Sequence, residues 1–261
     1  MSRYREYPKI SIITPSYNQG RFIKETIESV LSQNYPNLEY IVVDGASTDS
    51  TLDILRGYGE RILWVSEKDN GQTEAINKGI AKSTGDIVAY LNSDDLLLPG
   101  SLFLVAQIFL DNPKIMWLSG DGWIINANGK KIQLEIKLFK NMLRLFPVMT
   151  VLAIANYIIQ PSTFWRRTLH DDIGFFNEDL NYVMDFDFWM RAIKKYPLKV
   201  VYKNLSSFRI HDSSKCGTAF EKVFREQQEI VYKHTSNFFI RKLSDLHYML
   251  ARFFYKLLKR Y

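Results

Sequence analysis

The stretch DIVAYLNSDDLLLPG, from Asp86 to Gly100, places two neighbouring carboxylates directly after an apolar run. The run DIVAYL (Asp86–Leu91) is typical of a buried strand, and Asp94 and Asp95 follow where that strand ends. Adjacent carboxylates repel each other and lose solvation, so they persist where a cation or ligand stabilises them. Asp-Asp before Pro-Gly is also ordinary turn chemistry. The pair therefore indicates either a metal-binding motif or a solvated turn.

Three further strand-like runs precede this one and alternate with helical segments. They are KISIIT (Lys9–Thr14), EYIVVD (Glu39–Asp44) and ILWVS (Ile62–Ser66). This β-α-β-α-β-α-β order predicts an α/β fold, with a mostly parallel sheet covered by helices on both faces. Ligands of such sheets bind beyond the carboxyl ends of the strands. The polar turns that follow the four strands are therefore expected to meet at one edge.

The second half of the chain is less regular. We predict a helix over GSLFLVAQIFLDNP, a strand over IMWLSGD and a hairpin turn at NANG before KKIQLEI. DFDFWMRAIKKYP (Asp185–Pro197) carries an apolar helical face that includes Phe188 and Trp189. LKVVYKN predicts a strand, and from Ala219 the pattern is helical to the end of the chain.

Composition and apolar runs limit the class of protein. The 261 residues are 46% hydrophobic, which is enough for a large core. Cys216 is the single cysteine, which excludes an intramolecular disulfide and favours a reducing compartment. The N-terminal segment has no apolar signal region, and the longest apolar run, Val148–Ile159, is shorter than the roughly 18 residues of a membrane span. We therefore expect a cytoplasmic protein.

The net charge of +6 is concentrated near the C-terminus. Residues 241–261 hold six bases and one acid, Asp245, so the other 240 residues carry 28 bases and 27 acids. A broad basic field for a nucleic-acid backbone is therefore absent from the sequence, and no nucleic-acid partner is expected.

Two common nucleotide-binding motifs do not fit this chain. The turn after the first strand, TPSYNQG, has one glycine, where a dinucleotide site requires G-x-G-x-x-G. The Gly-Lys pair at Gly129 lies in the predicted hairpin instead of a P-loop. A Rossmann dehydrogenase and a Walker-type ATPase are both disfavoured.

Five stretches resemble, in order, the motifs of glycosyltransferase family 2, the inverting nucleotide-diphospho-sugar transferases with the GT-A fold. They span roughly Lys9–Ser214 and read SIITPSYNQGRFIKETIESVLSQNYPNLEYIVVDGASTDST, DNGQTEAINKGIAKSTGDIVAYLNSDDLLLPGSL, QPSTFWRR, MDFDFWMRA and FRIHDSS. Five motifs in family order are hard to obtain by chance. The resemblance implies inverting transfer of a sugar from a nucleoside-diphosphate sugar, expected to be a UDP-sugar, to an acceptor hydroxyl. Cell-surface polysaccharide or glycolipid synthesis is the expected setting, with a saccharide or lipid-linked saccharide as acceptor.

The resemblance also implies a nucleotide pocket at the strand ends. Its expected residues are Thr14, Pro15, Tyr17, Asp44, Asp69 and Asp94. Asp44 has an alternative interpretation, because Asp in DGASTD is also a good helix N-cap or turn former. Gly45 stands where the family commonly has a second Asp (DDGS), which leaves one fewer carboxylate in the expected pocket.

For the metal, the resemblance implies Asp95 as a ligand, with Asp94 nearer the ribose and His211 reaching the metal or diphosphate. A divalent cation stabilises the charge of a diphosphate leaving group, and oxygen ligands favour Mg²⁺ or Mn²⁺. His211 is also open to a purely structural role. Asn92 stands at the first position of the D-x-D pattern, so metal binding is expected to depend on bound nucleotide.

The remaining requirement is a base for the acceptor hydroxyl, and Asp185 in MDFDFWMRA is the candidate. Met184 replaces the Glu of the family's common Glu-Asp pair. Apolar neighbours would raise the pKa of Asp185 toward a value suited to accepting a proton. Asp187 is the second choice, and its alternative role is a helix N-cap.

Two other functions stay open from the sequence. A non-catalytic nucleotide-sugar binding protein would retain Asp44 and Asp95 but would not need Asp185. A nucleotidyltransferase would need a Gly/Arg/Lys-rich triphosphate loop, which TPSYNQGR does not provide. The transferase is the interpretation that uses all of these residues.

The C-terminal segment is predicted to be an amphipathic helical tail, residues 219–261, that follows a catalytic domain of residues 1–218. An apolar stripe runs through it: Phe239, Leu243, Leu246, Leu250, Phe253 and Leu257. Bases flank the stripe: Arg241, Lys242, Arg252, Lys256, Lys259 and Arg260. Such a helix either packs on the catalytic domain or lies on an anionic membrane. Peripheral contact with the inner face of the cell membrane is the expectation drawn from the basic excess.

Overall fold

A nine-stranded mixed sheet lies at the centre of the computed structural model, which describes residues 7–212, 214 and 220–258. The strands within these ranges are β1 (Ile10–Ser16), β2 (Leu38–Asp44), β3 (Leu63–Ser66), β4 (Ile87–Tyr90), β5 (Leu96–Leu97), β6 (Trp117–Asn126), β7 (Lys131–Ile132), β8 (Thr163–Arg166) and β9 (Lys199–Ile210). Their order is β3-β2-β1-β4-β8-β6-β9-β5, with β7 paired to β6.

Helices cover this sheet and follow it at the C-terminal end. They are α1 (Ile23–Leu31), α2 (Thr51–Gly57), α3 (Gln72–Lys82), α4 (Ser101–Asp111), α5 (Leu134–Leu143), α6 (Met149–Ile154), α7 (Leu169–Ile173), α8 (Met184–Lys195), α9 (Phe220–His234) and α10 (Phe238–Leu258). The α/β fold predicted from the alternating pattern is confirmed, but the sheet as a whole is mixed rather than mostly parallel, because the second half of the chain adds antiparallel pairings.

The first four strands form the parallel half of the sheet. β1 pairs in parallel with both β2 and β4, and β2 pairs in parallel with β3. Every residue of β1 is buried, as expected for a central strand covered on both faces. β8 then runs antiparallel between β4 and β6. The four predicted strand ends consequently meet at one edge of the parallel half.

The main core lies between this sheet and the helices. Trp117 of β6 stacks on Trp189 of α8 with ring centroids 5.5 Å apart and an interplanar angle of 6°. Trp165 of β8 packs edge-on against Trp189. Burial of such large rings is a major source of stability, so α8 and the candidate base at its start are held firmly.

Several predictions for the second half are confirmed and one is refined. The NANG hairpin joins β6 to β7, and Gly129 adopts a positive φ of 77° there. KKIQLEI contributes only two strand residues, because the chain turns into α5 at Leu134. Within the described residues, no helix is long and apolar enough to cross a membrane. The run Val148–Ile159 instead forms α6 and a buried segment after it.

The C-terminal segment forms two helices where the sequence pattern suggested continuous helix. The side chain of Asn237 accepts hydrogen bonds from the N–H groups of Phe239 and Ile240, at 3.0 and 3.2 Å. Asn237 therefore caps a new helix, α10, because a capping side chain satisfies N–H groups that have no partner within the helix. The boundary between residues 218 and 219 stays a prediction. Cys216, Lys259, Arg260 and Tyr261 lie outside the described residues.

Gly79 is where α3 packs most closely on the sheet, and it gives a test of this packing. A Cβ added at Gly79 would overlap Cγ2 of Ile13 in β1. We expect Gly79→Ala to lower the free energy of unfolding by about 1–3 kcal/mol, the usual cost of overpacking a core. Gly57→Ala is the control, since an added Cβ there meets nothing within 4 Å. Urea denaturation that shows equal stability for both variants would contradict the close packing.

Candidate active site

Hydrogen bonds join the turns at the ends of the first four strands. The Gly45 N–H donates to the Ser16 carbonyl at 2.8 Å, which links the first two turns. The Ser66 hydroxyl donates to Asp44 at 2.7 Å. The Gln72 amide donates to Asn92 Oδ1 at 2.7 Å and so links the third turn to the fourth. The predicted convergence of polar turns is therefore confirmed by direct contacts.

Asp44 is fully buried and organises its own turn. Its carboxylate accepts hydrogen bonds from the backbone N–H and the hydroxyl of Ser47, and from Ser66. α2 begins only at Thr51, so the N-cap interpretation of Asp44 is wrong and the turn-former interpretation is confirmed. A carboxylate has about four acceptor positions, and three are occupied by these groups.

Asp69 occupies the space beside Gly45. A Cβ on residue 45 would lie 2.8 Å from Oδ2 of Asp69, so a side chain there would displace this carboxylate. Burial, together with the negative charges of Glu74 and Asp44, raises the pKa of Asp69. The glycine that replaces the second Asp of the common DDGS motif therefore makes room for a carboxylate from the third turn.

The three predicted residues of the first turn differ in exposure. Thr14 is buried, and its hydroxyl lies 3.1 Å from the Tyr40 hydroxyl in the core. Pro15 is buried opposite Val43 of β2. Tyr17, by contrast, is 61% exposed. Tyr17 is thus the member of this group whose side chain is open to a ligand, while Thr14 and Pro15 shape the backbone.

The two carboxylates of NSDD have different environments. Asp95 is fully buried, accepts the N–H of Arg209 at 2.8 Å and accepts the Asn92 amide at 3.2 Å. Burial and the neighbouring charge of Asp94 raise the pKa of Asp95 well above its usual range. Asp94 keeps part of its side chain exposed. This geometry favours Asp94 over Asp95 as the carboxylate that would face a cation.

His211 lies beside Asp94 rather than Asp95. Its Nε2 is 2.9 Å from Oδ2 of Asp94, and its ring packs on Phe22 with centroids 4.6 Å apart. The Asp94 carboxylate offers the oxygen ligand that Mn²⁺ and Mg²⁺ prefer, and the imidazole nitrogen adds a ligand typical of transition metals. Among the described residues, no group of three or more His, Cys, Asp or Glu side chains is placed to hold a metal. Asp94 and His211 are two adjacent donors, and their chemistry fits a divalent metal whose remaining ligands are oxygen atoms from other groups.

Gln160 is a polar residue of this region that sequence reasoning did not assign. It follows buried Ile159 in the QPS motif, donates to the Tyr90 carbonyl at 2.8 Å and accepts from the Asn92 amide at 3.3 Å. Its position in QPSTFWRR was the available signal. Gln160 extends the hydrogen-bonded chain from Gln72 through Asn92 and fixes the amide beside Asp95.

Asp185 lies in the first turn of α8, where it accepts the N–H of Phe186 at 2.8 Å. Its side chain retains some solvent contact, yet its surroundings are dense enough that desolvation raises its pKa to about 6. The charge of Lys140 opposes this rise and the charge of Glu226 adds to it. The Asp185 carboxylate can therefore accept a proton at a pH close to neutral.

Asp187 has a different role. It is buried, and it pairs with Arg191 at 2.8 Å and with Nε2 of His234 at 3.0 Å. Burial acts to raise its pKa, but the bond from His234 and the charge of Arg191 outweigh burial and lower it. α8 begins at Met184 without a side-chain cap, so the N-cap interpretation of Asp187 is wrong. A paired carboxylate with a lowered pKa is a poor proton acceptor, which leaves Asp185 as the candidate.

Glu226 of α9 is the main residue that sequence reasoning missed. Its carboxylate accepts the N–H groups of Asn181, Tyr182 and Val183 at 3.0, 2.7 and 2.8 Å. These N–H groups belong to the loop that enters α8, so Glu226 positions the start of the helix that carries Asp185. No local motif marks Glu226, because its partners are more than forty residues away in the sequence.

The loop before α8 also touches the third strand-end turn. The Thr73 hydroxyl, in the first turn of α3, donates to the Leu180 carbonyl at 3.2 Å. Asn77 of α3 bonds to Phe176 and Glu178 of the same connection. The candidate base is therefore attached to the edge of the sheet that carries Asp69 and Gln72.

Comparison with known sequences assigns the family. The profile described as Glycosyl transferase family 2 matches residues 11–174, more than half of the chain, and the chain belongs to this family. An uncharacterized glycosyltransferase of Rickettsia typhi is 29% identical over 243 residues, which cover 91% of this chain and 73% of that protein. The putative teichuronic acid biosynthesis glycosyltransferase TuaG of Bacillus subtilis is 47% identical over 92 residues, 34% of this chain and 36% of that protein.

Solved structures show the same fold. TarS residues 1–349 of S. aureus, in complex with UDP-GlcNAc, superposes with a TM-score of 0.68 at 21% identity, covering 85% of this chain and 66% of that one. The mannosyltransferase PcManGT of Pyrobaculum calidifontis, in complex with GDP-Man and Mn²⁺, gives 0.64 at 19% identity, with 93% and 74% covered. The expected GT-A-type fold of the family is confirmed.

The opposing charges of Lys140 and Glu226 allow the environment of Asp185 to be tested without a substrate. We expect the Asp185 carboxyl carbon to titrate in NMR with a pKa of about 6. Lys140→Gln removes a cation that favours the carboxylate and should shift the midpoint to higher pH. Glu226→Gln removes a repelling anion and should shift it to lower pH.

Lys68→Gln is the matched control for these charge changes, since Lys68 is exposed and is not among the charges that act on Asp185. The resonance is assigned by its loss in Asp185→Asn. Shifts of the same sign for Lys140→Gln and Glu226→Gln would contradict the electrostatic account.

Proposed function

We propose that this protein is an inverting glycosyltransferase that moves a sugar from a UDP-sugar to an acceptor hydroxyl. The observation that carries the proposal is the contrast at the start of α8. Asp185 lies in the first turn, has a raised pKa and has no cationic partner at hydrogen-bond distance within the residues that the structure describes, while Asp187 is paired with Arg191 and His234. A binding module has no need of a proton acceptor. A transferase does, because the acceptor hydroxyl becomes a good nucleophile only as it loses its proton.

In the proposed reaction, Asp185 accepts the proton of the acceptor hydroxyl. The hydroxyl oxygen forms a bond to the anomeric carbon as the bond from that carbon to the diphosphate oxygen breaks. Attack opposite the leaving group inverts the configuration, and the nucleoside diphosphate leaves with the electron pair. Glu226 contributes by holding the loop at Asn181–Val183, so that Asp185 stays in place.

Asp94 and His211 are the residues proposed to hold a divalent cation, Mn²⁺ or Mg²⁺, together with the donor's diphosphate. When bound, such a cation supplies Lewis-acid stabilisation of the leaving group's charge. Support comes from the 2.9 Å approach of His211 to Asp94 and from the Mn²⁺ that accompanies GDP-Man in the PcManGT complex. Asp95, which the sequence pattern suggested as the ligand, is assigned to the support of this turn.

The proposed nucleotide pocket is the edge formed by the first three turns. Tyr17 provides an exposed ring, Asp44 and Asp69 provide carboxylates, and Thr14 and Pro15 shape the first turn. TarS binds UDP and UDP-GlcNAc, which supports uridine, whereas PcManGT binds GDP-Man. The similarity to TuaG supports an acceptor in cell-surface polysaccharide synthesis. We further propose a cytoplasmic enzyme that works at the inner face of the cell membrane on a saccharide or lipid-linked saccharide.

Substitution of Asp185 tests the proposed base. We expect Asp185→Asn to lower the rate of sugar transfer by about 10²-fold or more, since an amide cannot accept the proton. Donor binding, measured by calorimetry, should remain nearly unchanged. Asp187→Asn is the matched comparison and should act mainly through lower stability, because it breaks the pairing with Arg191 and His234. Transfer at the wild-type rate by Asp185→Asn would exclude Asp185 as the base.

Ligand-dependent melting tests the cation site. UDP with Mn²⁺ should raise the melting temperature more than UDP alone, because binding to the folded state alone stabilises it. Asp94→Asn should remove the Mn²⁺-dependent part of this rise, and Asp95→Asn should retain it. The reverse pattern would restore Asp95 as the ligand. No rise with uridine, guanosine or thymidine diphosphate would contradict the nucleotide site.

A further inference from the structure

α5 presents its apolar side chains to solvent and its polar side chains to the protein. Lys137 is buried against Asp121 and Asn204, and Arg144, just after the helix, is fully buried. The outward residues are large and apolar, namely Leu134, Leu138, Phe139 and Met142, with Leu138 61% exposed. Amphipathic helices on a water-exposed surface normally have the opposite orientation. The buried ion pairs explain how α5 is held in this inverted arrangement.

α10 has the same inverted arrangement. It packs on the protein through Ser244 and Tyr248, both buried, and through partly buried Ile240. The opposite side presents Phe238, Phe239, Leu243, Leu246, Met249, Leu250 and Phe253, with Phe239 75% exposed. The part of the sequence-predicted stripe from Phe239 to Phe253 therefore faces outward, while the helix is attached to the domain through its other side.

The two helices form one surface. Phe139 of α5 stacks on His247 of α10, with ring centroids 5.9 Å apart and an interplanar angle of 14°. The segment after α5 adds exposed Leu145, Phe146 and Val148. Of the twenty large apolar side chains exposed in the part of the chain that the structure describes, fourteen lie on α5, this segment and α10. Exposed apolar patches of this extent mark a binding surface. We call this surface the α5–α10 face.

We propose that the α5–α10 face inserts into the interfacial region of an anionic lipid membrane. The charge of α10 favours this occupant, because the helix carries Arg241, Lys242, Arg252 and Lys256 against one acid of its own, Asp245, and a net positive charge is left after Arg252 pairs with Glu221 of α9. The Asp245 carboxylate accepts hydrogen bonds from Tyr232 and Gln228. Exposed Lys242 lies among the apolar side chains, where a long stem can reach anionic headgroups. Glu135, in the first turn of α5, is the exposed acid on the outward side of that helix.

The face also adjoins the candidate base. Lys140 lies on the inner side of α5, where its amine donates to the Ile158 carbonyl at 3.1 Å and its charge acts on Asp185. Insertion of the outer side of α5 therefore leaves about one helix diameter, roughly 10 Å, between the lipid interface and the inner side of α5, beyond which Asp185 lies. The use of a lipid-linked acceptor at this interface rests on the proposed function. Membrane binding itself does not require sugar transfer.

Flotation with lipid vesicles tests the proposal on the full chain without donor. We expect the protein to float with vesicles of phosphatidylcholine and phosphatidylglycerol at low salt, and to bind vesicles of phosphatidylcholine alone more weakly. Leu138→Gln on α5 and Leu246→Gln on α10 should each weaken binding by about tenfold, the loss expected when one leucine no longer leaves water. Lys242→Gln should weaken binding only to anionic vesicles, by about fivefold.

Leu63→Gln is the matched control, because Leu63 is 58% exposed but lies on β3, away from this face. It should float like the wild type. Circular dichroism melting verifies that each variant is folded. Asp185→Asn should also float normally, so a failure of the proposed transfer chemistry is distinguishable from a failure of membrane binding.

Three outcomes would overturn the inference. The full chain remaining unbound on anionic vesicles at low salt excludes a membrane as occupant. A dimer in analytical ultracentrifugation that Leu138→Gln and Leu246→Gln dissociate, without vesicle binding, assigns the face to a second copy of the chain. If Leu246→Gln loses vesicle binding and Leu138→Gln does not, then α5 is not part of the membrane-binding surface and α10 alone forms it.

Discussion

The candidate site depends on the hydrogen bonds that buried Arg209 donates to its neighbours. Arg209 is 1% exposed, and its Nε donates to the Asp94 carbonyl while its backbone N–H donates to Asp95. Its other nitrogens reach the Ala127 carbonyl and Glu25. A buried charge is costly unless its donors are satisfied, so this network imposes one conformation on the turn. Because His211 follows two residues later, the same strand end delivers the imidazole to Asp94.

The site also shows how environment gives neighbouring carboxylates different chemistry. Asp94 and Asp95 are adjacent, yet one is part-exposed beside an imidazole and the other is fully buried with a raised pKa. Asp185 and Asp187 are separated by one residue, yet burial dominates the first while Arg191 and His234 dominate the second. A raised pKa keeps a group able to exchange protons near neutral pH, whereas pairing keeps a group ionised and structural. The assignment of roles therefore follows from contacts rather than from residue type.

The C-terminal helices connect this chemistry to the outer surface of the protein. α9 supplies Glu226 to the loop before α8 and His234 to Asp187. α10 packs beside α6 and exposes the opposite side. The C-terminal segment, which appears in the sequence as an appendage, thus has two roles in the fold. α9 supports the helix of the candidate base, and α10 forms the α5–α10 face together with α5. The candidate base and the α5–α10 face are consequently connected through the C-terminal helices.

The sequence by itself was sufficient for the first half of the fold and for the convergence of its polar strand ends. Alternating apolar runs predicted β1 to β4 and their helices, since helical and strand periodicities are local properties, and the ordered motifs identified the family. The roles of individual carboxylates were decided by tertiary structure. The partner of Asp95 is more than a hundred residues away on β9, and Glu226 lies over forty residues from the N–H groups it binds. The outward direction of the α10 stripe was likewise undetermined by sequence, because periodicity shows that a helix has an apolar side but not which side packs on the protein. Burial and long-range pairing set these properties, and both depend on segments that are brought together only by folding.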